Sequence, residues 1–263
     1  MTVTAGFGNE APPPSRRDRL RAATKDEIIA TARRLLVRDG PGSVTLRAIA
    51  REMGMTAPGL YRYFDSHEEL LRHVVAGIFT ELAGDVDRAI KAAGEAYPHA
   101  DDPEEADKNR ARITAEMIAA CGEFRHWALT HTAEFSLLFG VPLPGIDDGR
   151  YDIAQECALQ FAGVFFAQFR LLWEAYPFPV LEPPEIDPGL REQLERYRTA
   201  IGASVPVGAM LTFLRCWVLL YGAVSMEVFG HIRFVFDDPS AMFEYTLRDL
   251  VSLVGLTYPL PGG

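Results

Sequence analysis

Between residues 24 and 82 the sequence starts and stops helices in quick succession, and this pattern constrains the fold more than any other feature. Thr24 and Glu27 have the spacing of a capping box, and apolar residues recur after them at helical intervals. The first helix is therefore expected to begin there. It is expected to end near Asp39, just before the helix-breaking Pro41.

Two short helices are expected next. Thr45 can cap the first of them, and Gly54 ends it within three turns. Thr56 can cap the second, which has the sequence MTAPGLYRYF. Pro58 fits the first turn of that helix because the N–H that proline lacks would have no partner there. A longer amphipathic helix then begins with the capping-box pair Ser66 and Glu69.

The rest of the chain shows helical periodicity and no sustained strand pattern, so the predicted fold class is all-α. A patch rich in glycine, alanine and acids, AGEAYPHADDPEEADKN, is expected to be a loop or a frayed helix end, and GVPLPGIDDG a loop. Helices are predicted over Arg112–Thr130, Thr132–Phe139 (capped by Thr132), Tyr151–Tyr176, Gly189–Arg198, Val207–Ile232 and Ser240–Val254.

Two short helices joined by a glycine-containing turn and packed on a longer helix form a helix-turn-helix, whose second short helix enters the DNA major groove. In that helix Leu60 and Phe64 are expected to face the core. Ala57 and Gly59 are small enough to let the backbone approach DNA closely. The residues expected to project outward are Tyr61, Arg62 and Tyr63.

Arg62 is the candidate for reading a base, since its guanidinium can donate to guanine O6 and N7 together. Tyr61, Tyr63 and Thr45 suit phosphate oxygens, which position a protein without specifying sequence. The alternative for the two tyrosines is that they are partly buried packing residues.

The residues from Ile28 to Leu82 resemble the DNA-binding domain of TetR-type transcriptional regulators. The resemblance is carried by TLRAIAREMGMTAPGLYRYFDSHEELL, by the first-helix ending RDGPGSVTLR and by SHEELL at the start of the fourth helix. It implies DNA-facing positions, and the candidate DNA-binding set is Thr45, Thr56, Ala57, Pro58, Gly59, Tyr61, Arg62, Tyr63 and His67.

His67 departs from the family pattern, which commonly has lysine at this phosphate-facing position. A neutral imidazole contributes less than an ammonium group to phosphate binding. We therefore expect DNA affinity to rise modestly as the pH falls through the usual histidine range near 6.5.

The net charge of −10 conceals an asymmetry between the two parts of the chain. Residues 1–75 carry +3 and the remainder −13, so only the N-terminal part suits a polyanion. Residues 1–22 are predicted to be a flexible basic arm that reaches phosphates or a minor groove, or else a solvated tail. The helix-turn-helix domain is placed at 23–70 and a C-terminal regulatory domain at 71–263.

Other classes of function find little support in the sequence. No uncharged apolar run reaches the roughly 20 residues of a membrane span, and the N-terminus has no apolar signal segment, so the cytoplasm is the expected location. GFGNEA fits a dinucleotide-binding pattern but precedes three prolines instead of following a strand. No catalytic residues, cofactor or metal site are predicted. The three cysteines lack metal-ligand spacing, and His126 and His131 point apart on a helix.

The stretches EFRHWALTHTAEFSLLFGVPLPG and RCWVLLYGAVSMEVFGH resemble the C-terminal domain of the WHG-type TetR subgroup. Thr132 stands where this subgroup commonly has proline. The resemblance implies a domain that forms a homodimer through its last two long helices and encloses a small-molecule pocket. Its signature residues here include Trp127, His131, Gly140, Trp217 and Gly222.

A pocket built from the aromatic residues of these helices would favour an apolar or aromatic effector. Arg170 could pair with a carboxylate of the ligand, or could form an intrahelical or surface salt bridge instead. The candidate ligand-binding residues are Trp127, Phe135, Phe161, Phe165, Phe169, Arg170, Trp173, Met210, Phe213 and Trp217.

The sequence therefore predicts a ligand-responsive, DNA-binding transcriptional regulator, a homodimer that represses from a pseudo-palindromic operator on double-stranded DNA. The effector would release the protein from DNA. The alternative is a ligand-sensing or scaffold protein whose helix-turn-helix no longer binds specific DNA, and an enzyme is not expected.

Overall fold

The computed structural model describes residues 15–96, 106–140 and 153–258, and within these ranges it contains helices and no strands. Two 3-10 turns, Pro41–Ser43 and Pro183–Glu185, lie between helices. The all-α prediction is confirmed. The α-helices are α1 (Arg16–Asp39), α2 (Leu46–Glu52), α3 (Ala57–Leu60), α4 (His67–Glu95), α5 (Ala106–Thr130), α6 (Thr132–Phe139), α7 (Ile153–Ala175), α8 (Pro188–Ala200), α9 (Val207–Val228) and α10 (Ser240–Leu253).

Helix α1 begins earlier than its sequence pattern predicted. Ser15 caps it and forms a complete capping box with Asp18. Thr24, the predicted cap, lies inside the helix, where its hydroxyl donates to the Leu20 carbonyl at 3.0 Å. Residues 16–22 are therefore helical and do not form a flexible arm. The rest of the predicted arm, residues 1–14, lies outside the described residues.

The caps predicted for the next helices are present. The side-chain oxygens of Thr45, Thr56 and Ser66 each accept the backbone N–H three residues on, at 3.1 to 3.3 Å. The carboxylate of Glu69 accepts the Asp65 N–H at 2.5 Å. In a complete capping box, the Glu69 carboxylate would instead accept the N–H of Ser66, the cap residue itself. Helices α2 and α3 thus begin where the sequence placed them.

The contacts divide the chain into two compact units, Met1–Val74 and Val75–Gly263, with the boundary inside α4. The predicted boundary lay at residue 70. The first unit has its own apolar core, because the apolar faces of α1 to α4 turn away from solvent together. Its most deeply buried side chains are Ile28, Leu35, Leu36, Ile49, Leu60, Phe64 and Leu70.

In the second unit, α5, α7 and α9 pack around an aromatic centre. The ring of Phe124 lies 5.6 Å from Trp217 and 5.8 Å from Phe161, measured between centroids. Phe161 and Phe165 meet edge to face at 5.4 Å. These tilted and edge-on arrangements are the favoured geometries of aromatic pairs.

Several helix ends of the second unit differ from the predictions by a few residues. Helix α5 begins at Ala106, six positions before the predicted Arg112. Thr132 is the first residue of α6, and the cap position is His131, whose ring stacks on Trp127. Helix α9 ends at Val228 because Gly230 takes a positive φ of 71°. Of the predicted loop GVPLPGIDDG, residues 141–149 lie outside the described residues.

A salt bridge connects three helices of the second unit. Arg125 of α5 donates to both carboxylate oxygens of Glu227 on α9, at 2.5 and 2.7 Å. It also donates to the Ser240 hydroxyl at the start of α10, and its guanidinium lies 5.0 Å from the centre of the Phe243 ring. The two charged side chains are only 19% and 9% exposed, so this bidentate pair is mostly shielded from water.

Helix α9 is the one helix in the described ranges that is long and apolar enough to cross a membrane. However, 44% of its most apolar window is buried inside the structure. Its buried residues include Met210, Leu220 and Val224, which pack in the second unit as in the core helix of a globular protein.

Candidate functional site

Helix α3 presents a short polar and aromatic surface on the first unit. The side chains of Leu60 and Phe64 are buried as predicted, and Arg62 is exposed. Tyr61 has 52% of its surface exposed, which contradicts a packing role for this tyrosine. Pro58 is in the first turn, and the Thr56 cap holds the helix start.

Arg21 of α1 supports the residues that follow α3. Its Nη2 donates to the backbone carbonyl of Arg62 at 2.7 Å, and its guanidinium lies 5.7 Å from the centre of the Tyr63 ring. Tyr63 is therefore half-buried. The sequence left open whether this side chain projects outward or packs, and the structure places it between the two. The Arg62 side chain itself pairs with no carboxylate in the part of the chain that the structure describes, which leaves its guanidinium available.

Two further arginines lie on α2, the helix that contacts α3, and were absent from the predicted set. Arg47 and Arg51 are four residues apart, both exposed, on the side of α2 opposite the buried Ile49. Neither makes an ion pair within the described ranges. Because residues four apart lie on the same face of a helix, the sequence could have predicted a positively charged stripe on α2.

The starts of α2 and α4 are held together. The Nε2–H of His67 donates to the carbonyl of Val44 at 2.5 Å, and Val44 directly precedes the capping residue Thr45. Two predicted DNA-contacting positions, Thr45 and His67, thus lie close together although 22 residues separate them in sequence.

The second unit contains a cavity between α5, α7, α9 and α10. Four of the ten predicted ligand-binding residues line it, namely Phe165, Phe169, Phe213 and Trp217. Its volume is about 60 Å³, less than half of the roughly 150 Å³ of an apolar cavity known to bind benzene. The other lining residues are Met117, Ile118, Ala120, Cys121, Gln168, Cys216, Leu220, Leu247, Leu250 and Val251.

The remaining six predicted ligand residues do not line this cavity. Arg170 forms the intrahelical salt bridge with Glu174 at 2.7 Å that the sequence left open as its alternative, and Trp173 packs edge-on against Phe178. The other four are buried in the core, where they pack against side chains of neighbouring helices. These are Trp127, Phe135, Phe161 and Met210.

Two cysteines and one glutamine are the least apolar groups in the cavity lining, and sequence reasoning missed all three as lining residues. Burial raises the pKa of the Cys121 thiol to about 12 and that of the Cys216 thiol to about 11. The neighbouring Cys216 also raises the pKa of Cys121, but by less than burial does. Both side chains are therefore neutral thiols at neutral pH. The side-chain oxygen of Gln168 is buried and has no hydrogen-bond partner.

Helices α9 and α10 also leave apolar side chains uncovered. Val218 is 66% exposed and Tyr245 60% exposed, and Leu219, Met226 and Met242 are exposed as well. Large apolar side chains exposed close together on neighbouring helices mark interaction surfaces.

No group of three or more histidine, cysteine or acidic side chains that could hold a metal occurs in the described ranges.

These features define a helix-turn-helix transcription regulator. Residues 28–74 match the family model for bacterial regulatory proteins of the tetR family, and residues 117–250 match that of the tetracyclin repressor-like C-terminal domain. The chain belongs to the TetR family. Its matches are those of regulators and not of enzymes.

Relatives with similar sequences carry related names. The HTH-type transcriptional regulator Rv1816 of Mycobacterium tuberculosis is 29% identical over 248 residues, which cover 91% of this chain and 95% of that protein. The regulator Mb1846 of Mycobacterium bovis matches to the same extent.

Among solved structures, that of SCO4313, described as a regulatory protein, aligns with a TM-score of 0.65 and 25% identity. The alignment covers 90% of this chain and all of the other. A protein of unknown function from Rhodococcus sp. RHA1 aligns with a TM-score of 0.52 and 18% identity, over 89% and 95% of the two chains, and shows the fold alone. An N-terminal helix-turn-helix with a larger helical C-terminal domain is thus the confirmed architecture.

Proposed function

We propose that this TetR-family regulator is a homodimeric repressor that binds a pseudo-palindromic operator and is released by a small apolar ligand. The observation that carries the DNA-binding part is the surface of α3. There the capped helix exposes Tyr61 and an arginine, Arg62, that no carboxylate neutralises in the described ranges.

On DNA, Arg62 donates to a guanine edge in the major groove, while the hydroxyls of Tyr61 and Tyr63 contact phosphates. The small residues at the front of the helix let its backbone approach the duplex. A Cβ added at Gly59 would already lie 3.2 Å from the Thr56 Oγ1, so this end of the helix is closely packed even without DNA. The other proposed contacts are Thr45, Thr56, Ala57, Pro58 and His67, with Arg47 added from its exposure on α2.

The homodimer forms through the exposed apolar residues of α9 and α10. Val218, Met226 and Tyr245 would lose contact with water in a two-fold interface, which is favourable in proportion to the area buried. Two copies then present two α3 helices to successive turns of the major groove, as an inverted repeat requires.

The ligand acts through the cavity that α9 and α10 help to line. Because the cavity is smaller than an aromatic ligand needs, binding must separate some of the surrounding helices. Helices α9 and α10 are also those that bear the proposed dimer surface. A ligand that binds better to the expanded form shifts the dimer toward it, by no more than its difference in affinity for the two forms.

We place this activity in the cytoplasm, where the DNA of a bacterial regulator is found, with no cofactor and no membrane partner. The apolar surface of α9 is assigned to the second copy of the chain.

The test is selection from random duplex DNA by the purified protein, followed by anisotropy titration of the enriched sequence at two salt concentrations. We expect an inverted repeat, with affinity that falls steeply as salt rises because phosphate contacts release counterions. Failure of any sequence to enrich would contradict the proposal and favour a ligand-sensing protein whose helix-turn-helix no longer binds specific DNA.

A further inference from the structure

The cavity of the second unit has an almost uniformly apolar lining with one exception. Gln168 of α7 is a lining residue whose side-chain oxygen is buried and makes no hydrogen bond. Buried polar atoms in proteins are nearly always paired, and leaving one unpaired is costly. Gln168 is therefore the group that a ligand of this cavity could satisfy.

The charge of the ligand is restricted by the same lining. No arginine, lysine, histidine or acidic side chain lines the cavity. Arg170, two residues further along α7, forms a salt bridge with Glu174 instead. An ionised ligand would lose its hydration without gaining a counter-charge, so a neutral molecule is favoured.

The two thiols of the lining do not change this conclusion. Burial keeps Cys121 and Cys216 protonated at neutral pH, because it raises the pKa of each thiol. A protonated thiol is a poor nucleophile and a poor metal ligand, since the thiolate is the reactive form. These side chains therefore act as small apolar parts of the wall.

Water is a weak competitor for Gln168. A buried water usually makes about three hydrogen bonds to polar groups, and this lining offers Gln168 and two weakly bonding thiols. A hydroxyl group attached to an apolar body bonds the carboxamide and also fills the apolar space. Since a hydroxyl both donates and accepts, it can bond either end of the amide.

We propose that the effector is a neutral, largely apolar molecule with one hydroxyl group, which hydrogen-bonds to Gln168 while its apolar body contacts Phe165, Phe213 and Trp217. The inference rests on the proposed regulatory function and names the ligand class of its cavity. Gln168 selects the hydroxyl, and the aromatic side chains select the apolar body.

The experiment is calorimetric titration of the purified dimer without DNA, using three matched probes: 4-ethylphenol, its methyl ether and 4-ethylbenzoate. We expect the phenol to bind at least about tenfold more tightly than the ether, because only the phenol donates to Gln168. We expect the benzoate to bind more weakly than either. Equal affinity of phenol and ether, tighter binding of the benzoate, or no binding of any probe would overturn the proposal.

A pair of variants assigns the preference to one side chain. Gln168→Leu should bind the ether at least as well as the wild type does and should lose the preference for the phenol. Gln160→Leu is the matched control, since it makes the same change at an exposed position of the same helix and should keep the preference. A preference that survives in Gln168→Leu would overturn the role of Gln168. The wild-type comparison decides the proposal even if that variant does not fold.

The outcome is separable from that of the proposed function. Operator selection without ligand tests DNA binding alone, and the titration without DNA tests the cavity alone. An enriched inverted repeat together with equal binding of phenol and ether would retain the regulator and discard this ligand class.

Discussion

The surface of α3 and the cavity of the second unit depend on contacts of very different range. Tyr61 and Arg62 reach solvent because Thr56, a few residues away, caps the helix and because Leu60 and Phe64 anchor its other face. The cavity instead needs side chains from α5, α7, α9 and α10, which span residues 117 to 251. Local sequence thus determines most of the first site, to which Arg21 of α1 adds one longer-range contact, and the packing of distant helices determines the second.

Because of this difference, substitutions at the two sites should have different effects. Substitutions on the surface of α3 should change DNA binding with little change in stability. Substitutions at the long-range contacts of the second unit should reduce stability, because each contact fixes several helices at once.

The largest effect is expected at the Arg125–Glu227 salt bridge. Glu227→Ala leaves a mostly buried guanidinium without its carboxylate and should reduce the free energy of unfolding by about 3 kcal/mol. Chemical denaturation followed by circular dichroism measures this. The exposed pair Arg196 and Glu192 provides the control, since Glu192→Ala should cost less than about 0.5 kcal/mol. Equal losses in the two variants would contradict the assigned importance of the buried pair.

A smaller loss is expected at Gly208 in the first turn of α9. A Cβ at this position would overlap the carbonyl oxygen of Leu181, which belongs to the connection before α8. Gly208→Ala should therefore destabilise the protein by about 2 kcal/mol through overpacking. Gly163 in α7 has no atom near the same position, so Gly163→Ala should stabilise by about 0.5 to 1 kcal/mol. Thermal unfolding of both variants gives the two signs, and a neutral Gly208→Ala would show that the connection yields.

The same contrast explains what the sequence could and could not predict. The caps at Thr45 and Thr56 were predictable because each bonds a group three residues away. The start of α1 was missed since two capping-box patterns compete there, and only the structure shows that Ser15 forms the cap.

The cavity was only partly predictable. Phe161 and Phe165 lie four apart on one helix, and their sequence environments are alike. Only the neighbouring helices decide that Phe161 is in the core and Phe165 lines the cavity. Gln168 was missed for the same reason, because an isolated glutamine in a helix does not reveal whether it faces solvent.

For DNA binding, Arg62→Ala should weaken affinity for the enriched operator about tenfold and relax the preference at one base pair. Tyr61→Phe should weaken binding to all sequences alike, because its hydroxyl is assigned to a phosphate. Anisotropy titrations with the operator and with single-base variants distinguish the two patterns. Arg196→Ala, which removes an exposed arginine of α8, is the control. A uniform loss in Arg62→Ala would reassign Arg62 to the phosphate backbone.

His67 should give a smaller effect. Its Nε2–H is held by the Val44 carbonyl, next to the cap of α2, and we assign its ring to a phosphate at the start of α4. We expect His67→Ala to weaken operator affinity about two- to fivefold, the loss of one hydrogen-bonded phosphate contact. Equal affinity of the wild type and His67→Ala would contradict a contact between His67 and phosphate.

The smallest effect is expected at His73, inside the first unit. Its Nε2 accepts from the Lys25 ammonium group at 3.1 Å, and its ring meets Phe64 edge to face. Burial, with Lys25 as the second cause and Glu69 opposing, lowers the pKa of His73 in the folded state. The unfolded chain then binds the proton more tightly, so stability present above the unfolded pKa of about 6.5 is lost as the pH falls through the lowered folded pKa.

His73→Gln should lower the change in melting temperature between pH 8 and pH 5 by on the order of 1 °C relative to the wild type. His126→Gln, at an exposed histidine of α5, should leave that change unaltered. If His73→Gln and the wild type show the same change in melting temperature between pH 8 and pH 5, the Lys25–His73 contact is not maintained in solution.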